Sequence, residues 1–294
     1  MLAVQANRPP VNGRPEAARP TGPQSVSRRQ DSMVSPATAT APVGPSPAVG
    51  AGVRDEVAAF APRMHVEIGG RQGAPPLLVL HGWGASAAVM RGAVAALADS
   101  WRTHSLDLPG HGRSEGPPLP TVSAMADWLF ALLEKAELEK AAIVGHSMGS
   151  LIAVECAALQ PARVEAIALI GTAYPMKVGE AFLEAAQRNE QTAFDMETIW
   201  GHAAQVPLAA NPNPGMWMYG DSQARLARLA PGVLYNDLTA CNDYAGGEAS
   251  AAKITCPVLF ILGSRDVMTP PRSGAAFAKL FTNAEVVTAR ISGH

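Results

Sequence analysis

The chain holds no aromatic residue before Phe60, and nine of its 25 prolines fall within the first 50 residues. Ala, Pro, Gly, Ser and Thr dominate residues 1–53. So little apolar surface cannot offset the entropy of ordering, and a disordered extension is expected there. Arg28-Arg29 is not followed by an apolar core, so neither a secretory nor a twin-arginine signal is expected. Arg8, Arg14 and Arg19 point faintly to a transit peptide, but Glu16 and the dense prolines argue against the amphipathic helix it needs. Met64 stands just before the first plausible strand and is an alternative start.

Other absences narrow the class. The three cysteines, Cys156, Cys241 and Cys256, have no metal-ligand spacing, and His65, His104 and His202 form no cluster. Neither a metal site nor a disulfide framework is expected, which suits a reducing, cytoplasmic compartment. No run of about 18 apolar residues exists, so no transmembrane segment is expected. A formal net charge of -2 gives no reason for a nucleic-acid or anionic-membrane partner. What remains is length: 294 residues leave room for one large α/β domain.

One stretch organises that domain. Ala141 to Val144 reads as a buried parallel strand that breaks at Gly145, and Met148 to Leu159 reads as a helix. Ser147 sits at the tip of the turn between them. Gly-x-Ser-x-Gly between a strand and a helix is the nucleophile-elbow pattern. Gly145 and Gly149 lack a Cβ, so strand and helix can approach closely. The helix N-terminus favours negative charge developing beside the serine.

The rest of the chain alternates in the same way. Strands are expected over Met64 to Ile68 (ended by Gly69-Gly70), Leu77 to Leu80, Thr103 to Leu106, Val164 to Ile170, Pro257 to Leu262 and Glu285 to Ile291. Helices are expected over Val89 to Ala98, Val122 to Lys135 and Ser273 to Phe281. Apolar strands alternating with helices predict an α/β fold with a mostly parallel sheet. The pattern lapses from about 174 to 250, a helix-like stretch broken by Pro207, Pro212, Pro214 and Pro231. The expected organisation is an extension over 1–53, an α/β core over 54–173 and 251–294, and a helical lid over 174–250.

Ser147, Asp266 and His294 come in the order expected of this elbow, each after the end of a predicted strand. In a parallel sheet those ends share one rim, where ligands bind. A serine hydroxyl needs a base to take its proton, and His294 has a suitable pKa near neutrality. Asp266 is expected to fix the imidazole tautomer, since Gly171-Thr172 after the preceding strand offers no competing acid. The backbone N–H groups of Met148 and Trp83 are expected to face the developing oxyanion. Asp107, in a Pro-Gly-x-Gly context, suits a structural turn. His81 is expected to shape the oxyanion loop, and His111 and His146 either line the pocket mouth or are turn residues. Met216-Trp217-Met218-Tyr219 is either a substrate-facing wall of the lid or lid packing.

Five motifs in order carry a resemblance over about residues 63–294. They are His81-Gly82-Trp83-Gly84, Asp107-Leu108-Pro109-Gly110-His111-Gly112-Arg113-Ser114, Gly145-His146-Ser147-Met148-Gly149, Gly263-Ser264-Arg265-Asp266 and Ser292-Gly293-His294. The chain resembles the α/β-hydrolase superfamily, and within it the small, lid-bearing esterases. The resemblance implies a reaction without cofactor or metal, through an acyl-serine intermediate, on a small-molecule ester. The serine argues against the epoxide hydrolase and haloalkane dehalogenase branches, which use an aspartate there. The resemblance also implies a helix after the catalytic histidine. The chain stops on His294, so that C-terminal helix is expected to be missing and the enzyme incomplete.

The expected function is hydrolysis of a small to medium, largely apolar carboxylic ester. Two alternatives share the triad: a carbon–carbon bond hydrolase of aromatic degradation, and a carboxylesterase for the methyl ester of pimeloyl on acyl carrier protein, which His81-Gly82-Trp83-Gly84 resembles. An acidic carrier wants a basic entrance, whereas residues 174–250 hold four Lys or Arg against nine Asp or Glu. A carbon–carbon hydrolase wants a cationic anchor for an acid substrate. A non-catalytic ligand-binding member is the alternative of another class.

Overall fold

The computed structural model describes residues 63–203, 217–290 and 292–294. The expected extension, Pro207, Pro212, Pro214, Met216 and Ile291 lie outside the described residues. Among the described residues, seven strands form one sheet in the order β1-β3-β2-β4-β5-β6-β7. They are β1 (Val66–Gly70), β2 (Pro76–Leu80), β3 (Arg102–Leu106), β4 (Ala141–His146), β5 (Val164–Ile170), β6 (Val258–Gly263) and β7 (Ala284–Ala289). Only the edge strand β1 runs antiparallel, against β3. The remaining pairs are parallel, so their C-terminal ends share a rim.

Alternation along the central strands feeds two apolar layers. Leu78, Leu80 and Ile143 enter the larger layer, which packs α2 (Val122–Lys135) and α3 (Met148–Leu159). Leu77, Val79 and Ala142 face the other way, onto Met90, Val94, Leu97 and Trp101 around α1 (Arg91–Leu97). A strand covered on both faces must be apolar at every position, which is why β2 reads as a continuous run. α2 begins where the Thr121 hydroxyl accepts the Ala124 N–H at 3.1 Å, a side-chain N-cap. Its buried residues, among them Val122, Met125, Leu129 and Leu133, recur at helical spacing and face the sheet.

Several boundaries differ from expectation. β4 does not break at Gly145 but runs on to His146, because Gly145 and His146 still pair with Leu169 and Ile170 of β5. β1 begins two residues later than expected and includes both glycines, since Gly70 pairs with Arg102. Ala87–Met90 forms a separate 3-10 turn ahead of α1. Between β5 and β6 lie α4 (Glu180–Gln187), α5 (Gln191–Trp200), α6 (Met218–Leu226), α7 (Val233–Asp243) and α8 (Gly247–Ala251). α9 (Pro271–Ala278) precedes β7. Among the described residues, no helix is long and apolar enough to cross a membrane.

Candidate active site

Ser147 follows β4 directly and caps α3 with φ 52° and ψ -119°. A non-glycine residue held there costs about 1–3 kcal/mol, so the surroundings must enforce it. They do: the Ser147 N–H donates to Ile170 O at 2.9 Å, and its carbonyl accepts from the Ser150 N–H and hydroxyl. A Cβ on Gly145 would overlap the Gly149 carbonyl, and one on Gly149 would stand 2.7 Å from the Leu80 and His81 carbonyls. Both glycines are therefore required by close approach, as the sequence implied.

Asp266 lies in the turn after β6, and Arg265 N–H donates to Ser292 O at 2.9 Å, which draws residues 292–294 to that turn. His294 Nδ1 is 2.9 Å from Asp266 Oδ2. Asp266 Oδ1 accepts the N–H groups of Met268 and Thr269, and Oδ2 accepts the Thr269 hydroxyl at 2.6 Å. Burial raises the Asp266 pKa, but the hydrogen bond and charge of His294, with Thr269, outweigh it and hold the carboxyl below its ordinary range. A carboxylate only accepts, so His294 Nδ1 carries the proton on this side and Nε2 is left as the basic nitrogen. Ser147 Oγ and His294 Nε2 are both buried without a hydrogen-bond partner.

Ser147, His294 and Trp83 line one cavity of about 340 Å³. Trp83 stands in the turn after β2, its ring stacked at 6.3 Å on that of His294. Met148, the residue after Ser147, opens α3, and Trp83 and Gly84 of the turn after β2 border the same cavity. Such an arrangement can activate a hydroxyl, hold a developing oxyanion and release an alcohol, with no step that needs a metal. Among the described residues, no three His, Cys, Asp or Glu side chains gather to hold an ion.

The other sequence candidates fall into place individually. His81 Nδ1 donates to Gly82 O at 2.7 Å, within the turn it was expected to shape. Asp107 accepts the N–H groups of Ala87 and Arg113, a structural role. His146 lines the cavity, 4.7 Å from the His294 ring, and burial with that neighbour pushes its pKa down to about 3. His111 is not at the cavity; it is buried and bound to Asp237 of α7. Met218 lines the cavity, whereas Trp217 is 76% exposed.

Three cavity or contact residues carried no signal in the sequence. Glu197 of α5 accepts the Trp83 indole N–H at 2.7 Å. His202, read as isolated, lines the cavity and rests on Tyr219. Thr269 binds both Asp266 and, at 3.1 Å, His294 Nδ1. Burial pushes the Glu197 carboxyl up to about 7, against the opposing pull of His294 and of the Trp83 hydrogen bond.

A family model described as alpha/beta hydrolase fold matches residues 75–210, and one described as TAP-like protein matches residues 236–294. The chain is 30% identical over 226 residues to a Pimeloyl-[acyl-carrier protein] methyl ester esterase of Chromobacterium violaceum, covering 71% of this chain and 83% of that one. The chain belongs to the α/β-hydrolase superfamily. This hydrolase-fold chain is also 25% identical over 197 residues to an (E)-2-((N-methylformamido)methylene)succinate hydrolase of Acinetobacter baylyi, covering 65% and 72% of the two chains. Among solved structures it resembles the enol-lactonase from Burkholderia xenovorans LB400, with a TM-score of 0.68 and 23% identity over 77% of this chain and 88% of that one. That last likeness speaks for the α/β-hydrolase fold alone.

Proposed function

We propose that the protein is a serine hydrolase that cleaves a small to medium, largely apolar carboxylic ester. The observation that carries this reading is the pairing of His294 Nδ1 with Asp266 at 2.9 Å while His294 Nε2 and Ser147 Oγ remain without partners beside the same cavity. In the proposed reaction, Nε2 takes the Ser147 proton as Oγ attacks the ester carbonyl. The N–H groups of Trp83 and Met148 stabilise the oxyanion, each worth on the order of 3 kcal/mol. His294 then protonates the leaving alcohol, and water deacylates Ser147 by the same route in reverse. The helices between β5 and β6 serve as a lid. The cavity's Arg225 is occupied by Asp221 and Ser222, which weighs against the acid substrate of a carbon–carbon hydrolase.

A second reading, a carboxylesterase for a methyl ester on acyl carrier protein, is favoured by the 30% identical relative of that name. The acidic balance of residues 174–250 weighs against docking of an acidic carrier. Labelling by a fluorophosphonate probe, lost in Ser147→Ala, tests the nucleophile. Esters of graded acyl length, free and carrier-bound, then separate the two readings: a strong preference for the carrier-bound methyl ester selects the second. A folded chain that is neither labelled nor turns over any ester is a ligand-binding member instead.

A further inference from the structure

The turn after β2 is held at three backbone points by three side chains. His81 Nδ1 donates to Gly82 O at 2.7 Å. Asp107 Oδ1 accepts the Ala87 N–H at 2.7 Å. Between them, Asp237 Oδ2 accepts the Gly84 N–H at 3.0 Å. The first two side chains belong to the turns after β2 and β3. Asp237 belongs to α7, 153 residues further along the chain, and is fully buried.

Asp237 has a second partner in His111, whose Nε2 lies 2.6 Å from the same Oδ2. His111 Nδ1 lies 3.0 Å from Pro109 O. A carbonyl and a carboxylate only accept, so both His111 nitrogens donate and the ring is an imidazolium. Burial alone pulls the His111 pKa down, but the charge and hydrogen bond of Asp237 pull it up further, to a net rise. The charged and titratable groups facing His111 are Asp237 from α7, Asp107 after β3 and His81, whose ring is 5.0 Å away. His81 is neutral: its Nε2 accepts the Leu108 N–H at 3.1 Å, and burial first, with His111, pushes its pKa down to about 4.

We propose that Asp237 and His111 are a positioning pair for the turn Gly82–Ala87, through which the seating of α7 sets the oxyanion-binding shape of the Trp83 peptide. The pair touches no reacting atom. It acts through Gly84, the residue next to Trp83, whose side chain lines the cavity. Gly84 itself has φ +57°, and a Cβ there would press on Leu226, Leu229 and Leu234. The turn is thus clasped by the segment between β5 and β6 on one side and by Asp107 and His81 on the other. The kinetic arm of this proposal rests on the ester-hydrolase reading; its structural arm does not.

The test compares the full chain with Asp237→Asn, and with Asp243→Asn on the exposed end of the same helix as control. Amide exchange at Gly84 is followed together with turnover of an ester and of its thionoester. A thiono sulfur takes hydrogen bonds poorly, so thionoester turnover depends less on oxyanion donors. The ratio of the two rates also cancels the folded fraction. In Asp237→Asn, exchange at Gly84 should quicken about tenfold or more, while α3 amides stay unchanged. The ester-to-thionoester ratio of kcat should fall about tenfold, with the ester KM kept within about twofold. The alkaline limb of kcat should move to lower pH, because His111 loses the charge that sustains its proton. Equal losses on both substrates, or Gly84 exchange as in the control, would overturn the proposal. If Asp237→Asn does not fold, the ring nitrogens of His111 in the unsubstituted protein decide: two protons at about pH 7 uphold the pair, and one overturns it. If the protein turns over no ester at all, the ester reading fails, while Gly84 exchange and the His111 nitrogens still judge the pair.

Discussion

Glu197 Oε2 receives the indole N–H of Trp83 at 2.7 Å, joining α5 to the turn after β2 across 114 residues of sequence. Burial pushes that carboxyl from an ordinary 4.5 up to about 7, so the folded chain binds its proton more tightly than the unfolded chain does. Its contribution to stability is complete below about pH 4.5 and is lost as the pH rises through about 7. Glu197→Gln should therefore match the unsubstituted protein at acid pH and exceed it by on the order of 1–3 kcal/mol above pH 8. Thermal melts across pH check this. A gain that is the same at every pH would refute it.

Glu67 has the opposite sign. The Arg91 hydrogen bond, with His65 and against the cost of burial, pulls its carboxyl down to about 2. The resulting stability is present above about pH 4.5 and disappears as the pH falls toward 2. Arg91 and Arg113, which both reach Glu67, are largely exposed, so the effect is screened. Glu67→Gln is expected to cost about 1 kcal/mol near neutrality at low salt, less at high salt, and nothing near pH 2. Urea unfolding at two salt concentrations measures it.

Two glycines should respond to alanine in opposite directions. Gly145→Ala drives a Cβ into the backbone of Gly149 and Ser150, so stability should fall by about 1–3 kcal/mol or more, and Ser147 labelling with it. Gly92 lies in α1 with open space around its Cα. Gly92→Ala should raise the unfolding free energy by about 0.5–1 kcal/mol through helix propensity. Chemical denaturation of both variants is decisive; similar losses in both would mean that contact at the elbow is not the cause.

Thr269→Val removes the hydroxyl that donates to Asp266 Oδ2 at 2.6 Å, while the backbone donors to Oδ1 remain. Losing one charge-assisted bond is expected to lower kcat roughly tenfold with little change in KM. Steady-state kinetics on one ester settles the point, and Thr269→Ser should restore most of the rate.

The sheet was legible because its order is written in local patterns. β2 is a continuous apolar run, α2 spans Val122–Lys135 as read, and the elbow announces itself through two glycines that must touch. The spacing of Ser147, Asp266 and His294 placed three groups on one rim, and two of them meet at 2.9 Å. Where reading failed, the cause was non-local. Nothing around Asp237 in the sequence marks it as the partner of Gly84 and His111, because that contact exists only once α7 is docked. His202 looked isolated because its cavity is assembled from distant turns. Gly145 looked like a strand breaker, yet pairing with Leu169 carries β4 past it.

The clasp on Gly84 also orders events in time. Closing a contact across 153 residues is slow compared with forming the elbow, whose strand and helix are neighbours in the chain. A molecule emerging from synthesis can therefore bend its serine, once β5 supplies Ile170 to hold it, before the turn opposite has a fixed shape. On the proposed reading, such a half-made molecule has the serine in place but neither its base, His294, nor the means to stabilise what it attacks. On that reading reactivity arrives late, only once the segment bearing Asp237 has settled and His294 has paired with Asp266.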